Sequence, residues 1–321
     1  MSRSLTIRLV TCLTVFLSQL AGLMAQRPAG FMTGASDNPS LSGAEGDGNL
    51  RMVYVSNYPG RGYGLNTFHI SYDTFLEPLH GGLGLAISSD VAGNLLNDTR
   101  AMVSWSYHLR ASRDLYILAG MSSGLIYRGF NSSNLLFPDQ IDPLNGAVLP
   151  GAETVSHPVS LFYDMGVGFT VIYHNTILSV DAAHLFRPDL SRAGIPGAEL
   201  NRLYTLKTYT RLEAGRSNIS IVPYGEFSAE KGRYGGAAGG FAEYGPLGMG
   251  VLWIHSGYGS AVQSSLSVTS GRFAWLYGFT FRSASGDNGL PFGVSHRVGI
   301  RTGLNIVEKR KTIKAINLPE L

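Results

Sequence analysis

The chain has 321 residues, including 41 glycines, 15 Phe and 16 Tyr, and only 15% of it is charged. That length admits one large domain or two ordinary ones, and a formal charge of +3 implies no strong field for nucleic acid. A single cysteine, Cys12, excludes a disulfide framework and a thiolate metal site.

The amino end, MSRSLTIRLVTCLTVFLSQLAGLMAQ, places Arg3 and Arg8 before an apolar stretch and a small residue, Ala25, after it. This is the layout of a secretory signal over residues 1–25, cleaved between Ala25 and Gln26, with an uncleaved anchor helix as the alternative. Cleavage would remove Cys12 and two of the 25 basic residues, leaving 23 against 22 acidic ones. No later apolar run approaches the ~20 residues of a membrane helix. A secreted, aromatic, glycine-rich chain with alternating segments fits an outer-membrane barrel better than a soluble sandwich. A closed sheet satisfies every backbone group without water.

Residues 26–48 are small and polar without a period, which predicts an irregular periplasmic lead-in. The first strand, 49–57, alternates poorly. The second is clear: Phe68, Ile70 and Tyr72 oppose Thr67, His69 and Ser71. Residues 79–109 form the best hairpin, with Leu83, Leu85 and Ile87, then Ala101, Val103, Trp105, Tyr107 and Leu109, on one face. The other face is glycine and serine, which suits either a watery lumen or a sheet that another backbone approaches closely. Gly81 and Gly82, Gly235 and Gly236, and Gly239 and Gly240 read the same way, as close approach or bending. No helix follows them, so they are not phosphate loops.

A long strand begins at Leu115, and residues 128–158, with four prolines, form the longest break. Strand signals return at Met165–Val171 and Leu178–Ala182 around the turn YHNT. After FRPDLSRAGIPGAELN come strands near 203–214 and 218–229, then 234–244, 246–255, 261–269, 272–282 and 295–306. In the fourth of that last group Phe273, Trp275, Tyr277, Phe279 and Phe281 make an aromatic face against Ala274, Gly278 and Thr280. The prediction is an all-β fold: a transmembrane outer-membrane β-barrel over 49–306, an up-and-down meander of about fourteen antiparallel strands, within a range of about 12 to 16. Breaks near 58–64, 90–98, 128–158, 186–202 and 283–294 would face outward, and most intervening turns are short. Both termini then lie in the periplasm. The tail, 307–321, carries Lys309, Arg310, Lys311 and Lys314, and reads as a solvated run or a periplasmic docking segment.

Chemistry is sparse. The histidines show no H-E-x-x-H pattern. His69 and His108 fall on the inward face beside Ser71 and Ser106, which fits water-lining residues or, given an orienting carboxylate, a hydrolase. Asp139 and Asp142 in FPDQIDP fit a turn or a calcium site. The polar residues call for no catalytic, cofactor or metal site.

In chain order, NPSLSG (38–43), NYPG (57–60), ISYD (70–73), LHGGLGLAISSDVAG (79–93), SYHL (106–109), FPDQIDPLNG (137–146), HLFRPD (184–189), RLYTL (202–206), EYGPLGMGVLW (243–253) and SHRVGI (295–300) resemble the PorP/SprF family of the type IX secretion system in Bacteroidota. The resemblance covers nearly the whole mature chain. It departs after the cleavage site, where the family's aspartate and aromatic-Ser-Gln run are missing, and at the carboxyl end, which continues about fifteen residues further. It implies a non-enzymatic outer-membrane barrel without cofactor that supports secretion or surface anchoring. Its implied partners are membrane lipid, periplasmic peptidoglycan-associated components and a secreted surface protein or adhesin, gliding adhesins included, and not nucleic acid. Pro138, Asp139, Asp142 and Pro143 are then candidate cargo contacts, because they sit in a long outward break. Lys309, Arg310, Lys311 and Lys314 are candidate periplasmic contacts. A passive porin or hydrophobic-compound transporter is the rival reading.

Overall fold

The structure is a computed structural model that describes residues 34–46, 48–57, 59, 64–93, 96–130, 141–142, 146–147, 159–189, 199–213, 218–256, 259–283 and 293–304. Fourteen antiparallel strands follow one another as a meander. They are β1 (Asn49–Asn57), β2 (Leu65–Leu76), β3 (Gly81–Ala92), β4 (Leu96–Arg110), β5 (Leu115–Phe130), β6 (Val159–Tyr173), β7 (Thr176–Ala183) and β8 (Leu203–Thr210, resumed at Leu212–Glu213). The rest are β9 (Ile219–Glu230), β10 (Arg233–Tyr244), β11 (Leu247–Ser256), β12 (Gly259–Ser270), β13 (Phe273–Arg282) and β14 (Gly293–Gly303). Each pairs with the next, and β14 pairs with β1 from Asn49↔Gly303 to Asn57↔Ser295, so the sheet closes and has no edge.

The predicted faces point as the alternation requires. Leu85, Ile87, Val103, Trp105, Tyr107 and Leu109 are exposed to the outside, as are Phe273, Trp275, Tyr277 and Phe281. Between them, Ser104, Ser106, Ala274 and Leu276 are buried toward the lumen. A large apolar surface around the whole ring is stable only against lipid. The weak alternation of β1 also has a cause: its inward face is Asn49, Arg51, Val53 and Val55, so polar and apolar residues share the buried side.

Two breaks are shorter than the sequence suggests. Residues 90–98 read as a polar loop, yet β3 and β4 stay paired through Asp90↔Asp98 as far as Ala92↔Leu96. Inward charges are compatible with a strand when partners stand on the neighbouring ones. Thr67 donates to Asp90 at 2.6 Å, and Arg128 Nε donates to Asp98 at 2.6 Å. Arg128 likewise extends β5 past 127, opposite a β6 that begins at Val159 instead of near 165. The turns at 77–80, 111–114, 174–175, 245–246 and 271–272 lie on the rim that carries both ends of the barrel, and the strand ends that the long connections join lie at the other.

The outer face predicts a polarity effect. Val251, in the middle of β11, is exposed on the lipid side, so Val251→Arg should lower folding stability in liposomes by about 2–4 kcal/mol. Denaturant titration of barrels refolded into vesicles would measure it, with an inward substitution on the same strand as reference.

Candidate functional site: a plugged lumen and its outer cavity

The largest departure from the sequence reading concerns residues 34–46. Expected to be irregular and outside the barrel, they form two short 3-10 turns, Gly34–Ser36 and Pro39–Leu41, that pack against the inner faces of β2 to β6. The plug is held by its own polar atoms. Asn38 caps the second turn, accepting from Ser40 N at 2.9 Å, while its Nδ2 donates to Ser179 Oγ at 2.6 Å and to Val180 O at 3.2 Å. Ser40 Oγ shares a hydrogen bond with Thr170 Oγ1 (2.7 Å), and Ser42 Oγ with Ser104 Oγ (2.7 Å). Gly43 N donates to Asp73 Oδ2 at 2.9 Å.

Ion pairs fasten both ends. Arg51, 2% exposed, pairs with Asp73, 1% exposed, and donates to Glu45 of the plug at 2.6 Å, while Arg301 reaches the same Glu45 at 3.1 Å. Lys207 pairs with Asp37. Buried charges persist only when paired and hydrogen-bonded, and here each wall charge meets a plug charge or a plug amide. Beneath the plug the lumen is apolar. Leu41 and Ala44 pack into a cluster with Leu118, Ile172, Ile177, Tyr209, Val222, Phe241 and Leu276. The half of the lumen nearer the termini is therefore filled with protein.

This contact explains the glycine face. A Cβ at Gly120 would lie 2.5 Å from the carbonyl carbon and oxygen of Pro39 and from Ser40 N. One at Gly82 would strike Ser42 O, and one at Gly168 would strike Asn38 Oδ1. Of the two sequence readings, a watery lumen or a closely approached sheet, the second holds in this half of the barrel. His108 and Ser106 also belong to the plug contact. Ser106 Oγ donates to Ser42 O at 2.6 Å, and His108 Nε2 lies 3.1 Å from the same carbonyl. His69 Nε2 lies 3.0 Å from Ser36 Oγ.

Between the plug and the rim of long connections lies a cavity of about 540 Å³. Its floor is Ala35, Ser36, Asp37 and Pro39, and its walls carry His69, Asp90, Asp98, Arg100, Asp164, His184, Gln263, Arg282 and Arg297 among others. Of the candidate contact residues named from the sequence, only Asp142 is among the described residues. Pro138, Asp139 and Pro143 lie outside the described residues, as do Lys309, Arg310, Lys311 and Lys314. Asp142 pairs through its backbone with Gly146 in a two-residue ladder, Ile141–Asp142 with Gly146–Ala147.

The profile of the type IX secretion system membrane protein PorP/SprF matches residues 31–234, well over half of the chain. This chain belongs to the PorP/SprF family. The match takes in the plug and the wall from β1 into β10, and the resembling stretches at 243–253 and 295–300 lie beyond it. As a PorP/SprF barrel it is an outer-membrane protein, and solved outer-membrane barrels share its fold. One is the deltaS2S3 mutant of TodX, a monoaromatic hydrocarbon channel, at 12% identity and a TM-score of 0.50 over 89% of this chain and 96% of that one. The deltaS2 mutant of the same channel gives 11% identity and 0.50 over 89% and 97%. The outer-membrane protein Omp33 of Acinetobacter baumannii gives 11% and 0.47 over 82% and 100%. No curated protein matches the sequence.

The sequence reading missed Asp37, Asn38, Glu45, Arg51, Asp73 and Lys207 as a working set. The available signals were the turn NPSLSG, whose Asn-Pro start and serines favour local caps, and charges at inward positions of β1, β2 and β8.

Two outcomes follow from the geometry. Gly120→Leu should displace the plug, exposing Glu45 to a glutamate-specific protease and giving steady conductance in planar bilayers where the unaltered barrel gives none. Arg51→Ala leaves Asp73 buried without its cation, so the thermal or denaturant stability of the barrel should fall by about 3–5 kcal/mol.

Proposed function

We propose that this PorP/SprF barrel is a non-enzymatic membrane anchor of the type IX secretion system. Its outward loops, including Pro138, Asp139, Asp142 and Pro143, would hold a secreted surface protein or adhesin. The rim bearing the termini, with Lys309, Arg310, Lys311 and Lys314, would meet periplasmic peptidoglycan-associated components. The observation that carries this reading is the plug. A barrel whose lumen is closed, in the half nearer the termini, by its own residues 34–46 and an apolar cluster is a rigid holder in the membrane, not an open pore. The same plug weighs against the passive-porin reading, which needs a continuous watery path. Ser106 and His108 are bonded to a plug carbonyl, with no carboxylate orienting the imidazole among the described residues, which weighs against hydrolysis.

The test is an affinity pull-down of the tagged protein from native outer membranes in mild detergent, read by mass spectrometry. Secretion components or a large surface protein are expected with it. A barrel recovered alone from membranes that contain those components would overturn the anchor reading. In the same experiment Lys309→Glu, Arg310→Glu and Lys311→Glu together should deplete the periplasmic components and spare the surface protein. Undiminished recovery would return the tail to a solvated run.

A further inference from the structure

One strand of the wall rises above its neighbour. β6 pairs with β5 along its whole length, from Gly129↔Val159 to Leu115↔Tyr173. With β7 it pairs only from Val167↔Ala182 to Tyr173↔Thr176, and a last bond runs from Leu185 N to Met165 O at 3.0 Å. The chain after β7 then turns away. His184 and Arg187 have left-handed φ of 57° and 49°, and Pro188 has no N–H to give. Because Met165 O points to the β7 side, alternation turns the N–H and C=O of Val159, Leu161 and Tyr163 the same way. Among the described residues these backbone groups have no partner.

This open edge stands outside the lipid. At about 3.3 Å per residue and a tilt of about 40°, the apolar band of about 25 Å takes about ten residues. Counted from Tyr173 at the rim of the turns, the band ends near Tyr163, and Leu161 and Val159 lie beyond it. An unpaired edge within the hydrocarbon would also break the requirement that closes the rest of the sheet. The side chains there are nonetheless apolar. Val159 is 54% exposed, Leu161 62% and Tyr163 50%. Phe186, 61% exposed, lies against Tyr163 with ring centroids 5.5 Å apart. At the outer ends of β3 and β4 the exposed residues are instead polar and bonded together: Thr99 donates to Ser89 at 3.1 Å, and Ser89 to Asn97 at 3.0 Å.

We propose that residues 159–163 are a strand-addition site, where an extended segment of a secreted surface protein pairs with the open edge of β6. Hydrogen bonding sets the class of partner. Donors and acceptors at a two-residue repeat are matched by another extended backbone, and by no small ligand or folded helix. Apolar residues at alternate positions of that segment would cover Leu161 and the Tyr163–Phe186 pair. A second copy of this barrel does not fit. A two-fold axis along the membrane normal would cross the two β6 strands at about 80°, twice the tilt, and a ladder needs them side by side. The ends of the barrel do not reach the edge either, since Leu304 N bonds to Gly48 O at the opposite rim. The inference rests on the anchor reading and says where and how the surface protein would be held.

Hydrogen exchange read at single amides, on the full mature barrel alone and with the surface protein that co-purifies, is the first test. Alone, the amides of Leu161 and Tyr163 should exchange at least about a hundredfold faster than those of Phe162 and Asp164, which the β5 ladder holds. In the complex they should slow by a similar factor. Equal protection in the isolated barrel would overturn the proposal and assign the edge to this chain's own loops. With p-benzoylphenylalanine in place of Leu161, irradiated cells should give a cross-link to an extended segment of a secreted protein, and adducts to lipid alone would overturn it. Leu161→Pro removes the open N–H and keeps the β5 bonds, as edge positions allow. It should cut recovery of the surface protein in the pull-down at least about tenfold, with periplasmic components and melting temperature unchanged. Undiminished recovery would overturn strand addition and leave the anchor reading standing, whereas an unaltered barrel without any surface protein would overturn both. Should the proline variant fail to fold, exchange and cross-linking decide.

Discussion

Closure of the sheet between β14 and β1 is the constraint on which the rest of this protein depends. In the hydrocarbon core no water meets an unpaired N–H or C=O, so a strand-built span is stable only as a ring. The register from Asn49↔Gly303 to Asn57↔Ser295 completes that ring. It also fixes where Arg51 points. Because side chains alternate, the pairing that turns Met52 and Tyr54 to lipid turns Arg51 into the lumen, against Asp73 and Glu45. The strand that closes the wall thus supplies the cation that holds the plug.

The inner face answers two demands that pull in opposite directions. A barrel interior has to be filled or hydrated, and filling it with large side chains would leave no room for another segment of chain. Here the wall is divided. Gly82, Gly120 and Gly168 remove side chains where the plug backbone passes, while Leu118, Val222, Phe241 and Leu276 fill the space beneath it. Serines and threonines between these regions give the plug hydroxyl partners at 2.6–2.7 Å. A glycine-rich face that would read as a pore lining is instead a mould.

A plugged half and a cavity half give the two rims different properties. On the side of the termini the lumen presents packed protein. On the other side lies a cavity whose walls are charged and whose floor is the plug itself. Hydrocarbon-channel mutants share the fold at 12% and 11% identity, and a fold by itself does not specify a use.

The sequence by itself determined the frame. Alternation in Phe68–Tyr72, Leu83–Leu109 and Phe273–Phe281, with turn residues between, specifies strand faces, strand number and barrel class, because lipid imposes one rule on every outward side chain. Family membership was legible for a related reason, since stretches such as NPSLSG and LHGGLGL keep their order along the chain. Only the tertiary structure decided what the inward residues do. Residues 34–46 have no period of their own, and their order comes from contacts with wall positions 6 to 256 residues away. Charged stretches such as 90–98 read as loops for the same reason: the partners that keep Asp90 and Asp98 in strands stand on other strands. A lumen is defined by residues distant in sequence, and local pattern carries no record of which of them meet.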